Sequence, residues 1–149
     1  MTLEQKVMQA LKEAMKEKNK DKLDALRAIK SAILLEKTKG SAKELSEADE
    51  LKLLQKLVKQ RKESAEIYLQ QNRKDLAETE LNQIKVIEQF LPEQMSEEEI
   101  EAEVRKIIEQ TGASSMRDMG KVMGMATKSM AGRADGKTIS GIVKKLLSD

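Results

Sequence analysis

Ile84-Lys85-Val86-Ile87-Glu88-Gln89-Phe90-Leu91-Pro92-Glu93-Gln94-Met95-Ser96-Glu97-Glu98-Glu99 reads as the end of one helix and the start of another. Ile84, Ile87 and Leu91 keep a three- and four-residue apolar spacing up to Pro92. That proline is the only one in the chain; it has no amide hydrogen to donate and ends the run. Ser96 followed three residues later by Glu99 is a capping box, and Glu97, Glu98 and Glu99 place negative charge where a helix dipole favours it. These acids are therefore read as helix-start residues rather than as paired catalytic carboxylates. Pro92-Glu93-Gln94-Met95 becomes the natural boundary, dividing the sequence into a domain over residues 1–93 and a smaller one over 94–149.

Upstream of that boundary the apolar spacing predicts four helices. Leu3, Val7, Leu11 and Ala14 stripe the first, over residues 3–18, with Thr2 and Gln5 as its capping box. Leu23, Leu26, Ile29, Ile33 and Leu34 stripe the second, which Gly40 stops. Ser46 opens the third, where Leu54, Leu57, Val58, Ala65 and Tyr68 share a face to about residue 71. Leu76, Leu81, Ile84, Ile87 and Leu91 mark the fourth. Neither glycine nor proline enforces a break at Gln71-Asn72-Arg73, so one continuous helix is the alternative there.

Downstream, the fifth helix runs from Ser96 to Gly112. Ser115 opens a sixth, with Met116, Met119, Met123, Ala126 and Met130 on one stripe and Gly132 as a left-handed stop. Asp135 precedes a seventh, carrying Ile139, Ile142, Val143, Leu146 and Leu147. No stretch alternates with period two, and Lys, Glu, Leu, Ala and Gln dominate. The expected fold is all-α, an N-terminal four-helix domain followed by a C-terminal three-helix domain.

Composition removes most chemistries. The 149 residues include no His and no Cys, which excludes thiol nucleophiles, imidazole bases, disulfides and the usual zinc ligands. No catalytic residue, metal site or cofactor is expected. With no Trp, one Tyr and one Phe, the chain cannot read single strands by stacking bases on rings. The leading residues carry charge every few positions, which speaks against a secretory or membrane-spanning segment and makes the cytoplasm the expected compartment. The segment from Gly132 to Thr138 looks like a phosphate-binding P-loop but has three residues between its glycines instead of four and no strand before it. Nucleotide hydrolysis is rejected.

Charge and glycine are segregated. The formal net charge is +2, yet residues 113–149 alone carry Arg117, Lys121, Lys128, Arg133, Lys137, Lys144 and Lys145 against Asp118, Asp135 and Asp149. Five of the seven glycines fall there too: Gly120, Gly124, Gly132, Gly136 and Gly141. For Gly120 and Gly124 one reading is a second helix crossing closely above them; the other is the approach of a phosphate or ribose. Gly141 reads as a packing glycine. The methionine stripe reads first as core and second as an adaptable docking face. A further basic cluster, Lys56, Lys59, Arg61 and Lys62, is explained by surface pairing of Lys59 with Glu63 and Lys62 with Glu66.

Two stretches resemble the YqeY-like (GatB/YqeY) family. One is Lys59-Gln60-Arg61-Lys62-Glu63-Ser64-Ala65-Glu66-Ile67-Tyr68, followed by Arg73-Lys74-Asp75-Leu76-Ala77 and Phe90-Leu91-Pro92-Glu93-Gln94. The other is Asp118-Met119-Gly120-Lys121-Val122-Met123-Gly124, followed by Gly132-Arg133-Ala134-Asp135-Gly136 and Ile142-Val143-Lys144-Lys145-Leu146-Leu147. The resemblance implies an all-helical protein akin to the C-terminal helical and tail regions of the B subunit of glutamine-dependent aspartyl/glutamyl-tRNA amidotransferase. There the tail resembles a reader of the tRNA body, while amidotransfer and ammonia production belong elsewhere in the enzyme. A family label of carbon–nitrogen ligase with glutamine as amido donor then describes the assembly rather than this module. Gly136 and Asp135 stand where the amidotransferase tail tends to have proline and asparagine; Asp caps a helix as Asn does.

The function this implies is a non-catalytic, tRNA-binding accessory role. Lys121, Gly124, Lys128, Arg133, Lys137, Lys144 and Lys145 would meet the sugar–phosphate backbone. The rival expectation is a protein-interaction module whose methionine stripe docks on a synthetase, amidotransferase or ribosomal partner.

Overall fold

The computed structural model describes residues 1–39 and 44–148. Among them are seven α-helices, one short 3-10 turn and no strand. The chain divides into two compact units, Met1–Leu91 and Pro92–Asp149.

The first unit contains α1 (Leu3–Glu17), α2 (Lys20–Thr38), α3 (Glu47–Gln70) and α4 (Lys74–Glu88). Each of the first three begins where a side chain satisfies otherwise unpaired amides. Thr2 accepts from the Gln5 amide and Gln5 returns the bond to the Thr2 amide. Asn19 accepts from Lys22, and Ser46 forms a capping box with Asp49. Glycine Gly40, expected to stop the second helix, lies outside the described residues; α2 ends at Thr38.

Val7, Leu26, Ile29, Leu54 and Ile87 are almost fully buried in one core. Leu34 and Leu81, assigned to core stripes from spacing, are instead 49% and 44% exposed. On α2 the buried line is Leu26, Ile29 and Ile33, and Leu34 stands a hundred degrees round from Ile33. On α4 the buried arc runs through Ala77, Ile84 and Ile87, and Leu81 stands at its edge, about 40° beyond Ala77. Polar bonds align the helices: the Leu3 amide donates to Glu50 at 3.0 Å, and Asn82 donates to Asp21 at 3.0 Å. Arg61 donates to Gln83 at 3.0 Å and to the Leu57 carbonyl at 3.1 Å. Burial lowers its pKa from the usual arginine value, opposed by Glu80. The expected pairs Lys59–Glu63 and Lys62–Glu66 do not close. Exposed pairs of that kind gain only about 0.3–0.5 kcal/mol, too little to hold two long side chains in one geometry.

α3 and α4 are separate helices, and the break at Gln71-Asn72-Arg73 is a left-handed stop. Asn72 has φ 58°. Its amide donates to Leu69 at 3.2 Å and the Arg73 amide to Tyr68 at 2.8 Å, which is the Schellman pattern. Asparagine tolerates this conformation where a β-branched residue would not. Asn72→Val should therefore cost about 1–2 kcal/mol of stability by urea titration, while Asn72→Gly should be neutral or stabilising.

The second unit contains α5 (Glu97–Thr111), a 3-10 turn (Met116–Asp118), α6 (Met119–Ser129) and α7 (Gly136–Leu147). Its three α-helices pack pairwise around one core, with Val104, Val122, Ala126, Met130, Ile139 and Val143 fully or almost fully buried. The Ser96–Glu99 capping box forms as the sequence requires, and Gly112 closes α5 at φ 71°. Gly132 takes φ 77° in the turn after α6. Among the described residues no helix is long and apolar enough to cross a membrane.

Candidate functional site

The buried residues of α6 fix which way its other side chains point. Val122 and Ala126 face the core, with Met119 and Met123 packed beside them. At a hundred degrees per residue the opposite arc holds Gly120, Lys121, Gly124 and Lys128, and all four are exposed. On α7, Ile139, Val143 and Leu147 face inward. The outward arc holds Lys137, Gly141, Lys144 and Lys145, again all exposed. Each helix thus carries a lysine, a glycine about one turn further on and one or two lysines about a turn beyond that. Neither helix contains an acidic residue. Among the described residues none of these five lysines forms an ion pair.

This pattern works against folding. A helix N-terminus favours acids by about 0.3–1 kcal/mol; Asp118 and Asp135 stand at the N-caps of α6 and α7, and Lys121 and Lys137 set positive charge in the first turns that follow. Only Lys128, Lys144 and Lys145, in the last turns, suit the helix dipole. Glycine in a helix interior also costs about 0.5–1 kcal/mol against alanine. A Cβ added at Gly120, Gly124 or Gly141 would meet no atom within 4 Å. The closely crossing helix read above Gly120 and Gly124, and the packing role read for Gly141, are both overturned. The sequence held the signal: Gly120 and Gly124 lie off the Met119–Val122–Met123–Ala126 stripe and so cannot face the core. Gly124→Ala should stabilise the protein by about 0.5–1 kcal/mol in urea unfolding, and Gly120→Ala, in the first turn of α6, by less.

Arg133 is placed differently. It is exposed, but its Nε donates to the Glu93 carbonyl at 3.1 Å. The Met95 amide donates to the Arg133 carbonyl at 2.9 Å, and Gln94 Nε2 donates to the Gly132 and Pro92 carbonyls, both at 2.8 Å. Residues 93–95 are thus clasped to the turn joining α6 and α7. Gln94 was not legible as a site residue because its partner lies 38 positions away and nothing local marks it.

Asp135 caps α7, its carboxylate accepting from the Thr138 amide at 2.7 Å and hydroxyl at 3.0 Å. Asp118 accepts from the Ser114 and Ser115 amides at 3.0 and 3.3 Å. Those bonds hold its carboxyl below the usual range, aided by Lys121 and Arg117. The Ser96 amide and hydroxyl do the same for Glu99. A carboxyl with a depressed folded pKa adds stability that is present above its unfolded pKa, about 4, and lost as pH falls through the folded value. Wild-type protein should therefore lose more melting temperature between pH 5 and pH 2 than Glu99→Gln, which keeps the capping geometry without the titrating charge.

The methionine stripe is largely interior. Met130 is buried and Met119 and Met123 pack against the core, whereas Met116 lies in the 3-10 turn and is 41% exposed. It does not form a continuous docking face.

Relatives of similar sequence cover most of the chain. Altered inheritance of mitochondria protein 41, mitochondrial, of Kluyveromyces lactis is 31% identical over 139 residues, 91% of this chain and 71% of its own. The protein of the same name from Pyrenophora tritici-repentis is 32% identical over 141 residues, 92% of this chain and 76% of its own. Both names place those proteins in mitochondria, whereas the leading residues here had suggested the cytoplasm. The family model described as Yqey-like protein matches residues 4–147, spanning both units, and the chain belongs to that family.

Proposed function

We propose that this protein is a non-catalytic accessory factor that binds tRNA through the sugar–phosphate backbone, using the outward faces of α6 and α7. The observation that carries the reading is the outward placement of Lys121, Lys137, Gly120, Gly124 and Gly141, where none serves packing. Outward residues that packing does not explain point to a ligand, and lysines on helices that contain no acid suit a polyanion. Exposed glycine lets a ribose or phosphate rest against the helix backbone. With no ring to stack on bases, recognition is by shape and charge. The reading places the protein in the aqueous compartment that holds its tRNA, the cytoplasm or, as for the named relatives, the mitochondrion.

Titrating labelled total tRNA with the full chain at 50 and 200 mM salt tests this. Neutralising about five phosphates predicts an affinity loss of about two to three orders of magnitude across that range. Absence of binding at 50 mM would refute the reading. Gly120→Ala and Gly124→Ala should bind more weakly even as they gain stability, because each methyl group holds the RNA away from the helix.

A further inference from the structure

Met125 stands where the fold has no use for an apolar side chain. Val122 and Ala126 of α6 are buried in the core and Met119 and Met123 pack against it, but Met125 is outside that core and 40% exposed. Among the described residues of the second unit, the exposed large apolar side chains are Met116, in the 3-10 turn, and Met125. At a hundred degrees per residue, Lys121, Met125 and Lys128 fall within about 60° of one another around α6. Met125 lies about 6 Å beyond Lys121 and about 4.5 Å before Lys128 along the axis, so it stands between two cations. On α7 the same three places hold Lys137, Gly141 and Lys144, all exposed. In both helices the step between the lysines is uncharged and has no polar side chain.

An RNA backbone alternates phosphate with sugar. Two cations with an apolar step between them match two phosphates with the carbon framework of a ribose between them. We infer that Met125 is a contact residue of this surface, lying against the sugars between phosphates held by Lys121 and Lys128, and that it supplies affinity that salt does not weaken. The inference rests on the RNA reading above and adds a second kind of contact to it. Ionic contacts are lost as salt rises, whereas burial of apolar surface is not screened.

Wild-type full chain, Met125→Gln and Met125→Leu are titrated with labelled total tRNA over a series of salt concentrations. Glutamine keeps the length and helix propensity of methionine and loses its apolar character; leucine keeps that character. Met125→Gln should bind about three- to tenfold more weakly at every salt concentration, from loss of one partly exposed apolar side chain. Its slope of log affinity against log salt should equal that of the wild type, because that slope counts phosphates at about 0.9 per contact. Met125→Leu should bind as the wild type does, and both variants should keep wild-type stability in urea. Hydrogen peroxide gives a second readout: the methionine sulfur takes one oxygen, the O–O bond breaks and the peroxide leaves as water. Bound tRNA should slow sulfoxide formation at Met125, while Met8 and Met15, exposed on the other unit, react as before. Wild-type affinity in Met125→Gln, or oxidation of Met125 unchanged by tRNA, would overturn the contact and leave binding through the lysines intact. A Met125→Gln protein of reduced stability would also overturn it, since Met125 would then be a packing residue. Failure of the wild-type chain to bind tRNA at 50 mM salt would instead remove the RNA reading and this inference together.

Discussion

Replacing Lys121, Lys128, Lys137, Lys144 and Lys145 together by glutamine is expected to abolish the salt-sensitive part of tRNA binding while leaving the fold intact. Each lysine is exposed and unpaired among the described residues, so each substitution should change stability by less than about 0.5 kcal/mol. Removing Lys121 and Lys137 relieves positive charge at helix N-termini, which offsets the favourable last-turn placement of the other three. The slope of log affinity against log salt should fall from about 4.5 toward zero, and affinity at 50 mM salt by at least two orders of magnitude. A matched control removes lysines from the other unit: Lys52→Gln/Lys56→Gln/Lys59→Gln on α3 should leave tRNA binding unchanged. Circular dichroism and equilibrium titration check both halves.

Ile139→Ala is expected to do the reverse, costing about 2–5 kcal/mol of stability without removing an exposed lysine. Ile139 is 1% exposed and lies against the core shared by α5, α6 and α7. A domain of this size is stable by about 0.05–0.15 kcal/mol per residue, so one such cavity consumes much of the margin of the C-terminal unit. Urea unfolding followed by hydrogen exchange in α5, α6 and α7 measures the loss. At temperatures where the variant remains folded its salt slope on tRNA should match that of the wild type. The two substitutions together separate the residues that build the unit from those that use it.

Much of the fold was legible because its signals are local. The Thr2–Gln5 and Ser96–Glu99 capping boxes each involve residues three apart, and Pro92 marks the boundary by covalent structure, although α4 already ends at Glu88, so that Leu91 lies beyond the helix it was assigned to. The stripes Leu3–Val7–Leu11–Ala14 and Ile139–Val143–Leu147 are buried because helical geometry brings such spacings to one face. The Asn72 stop was left open because asparagine enters the left-handed region less often than glycine, so its presence alone did not decide between a break and a continuous helix. Leu34 and Leu81 were misplaced because apolar spacing identifies a stripe but not the angle at which neighbouring helices cover it.

The candidate surface was legible as a composition, a run of lysine and glycine without acids, before it had any shape. The sequence could not show that α6 and α7 turn these residues outward, away from the core of the unit. Nor could it show the clasp of Gln94 and Arg133 across the α6–α7 turn, whose partners are 38 and 40 positions apart. Arg133 lies in the lysine-rich segment, yet its Nε is held by a backbone carbonyl, so part of its guanidinium serves the fold.

Amine-reactive footprinting of the full chain, with and without bound tRNA and read lysine by lysine in a mass spectrometer, addresses the exposed lysines of α6 and α7. Lys121, Lys128, Lys137, Lys144 and Lys145 should be protected when tRNA is bound, with Lys6, Lys12, Lys52 and Lys56 reacting as freely as before. Protection centred on the N-terminal unit, or spread evenly over all exposed lysines, would contradict binding on these two helices.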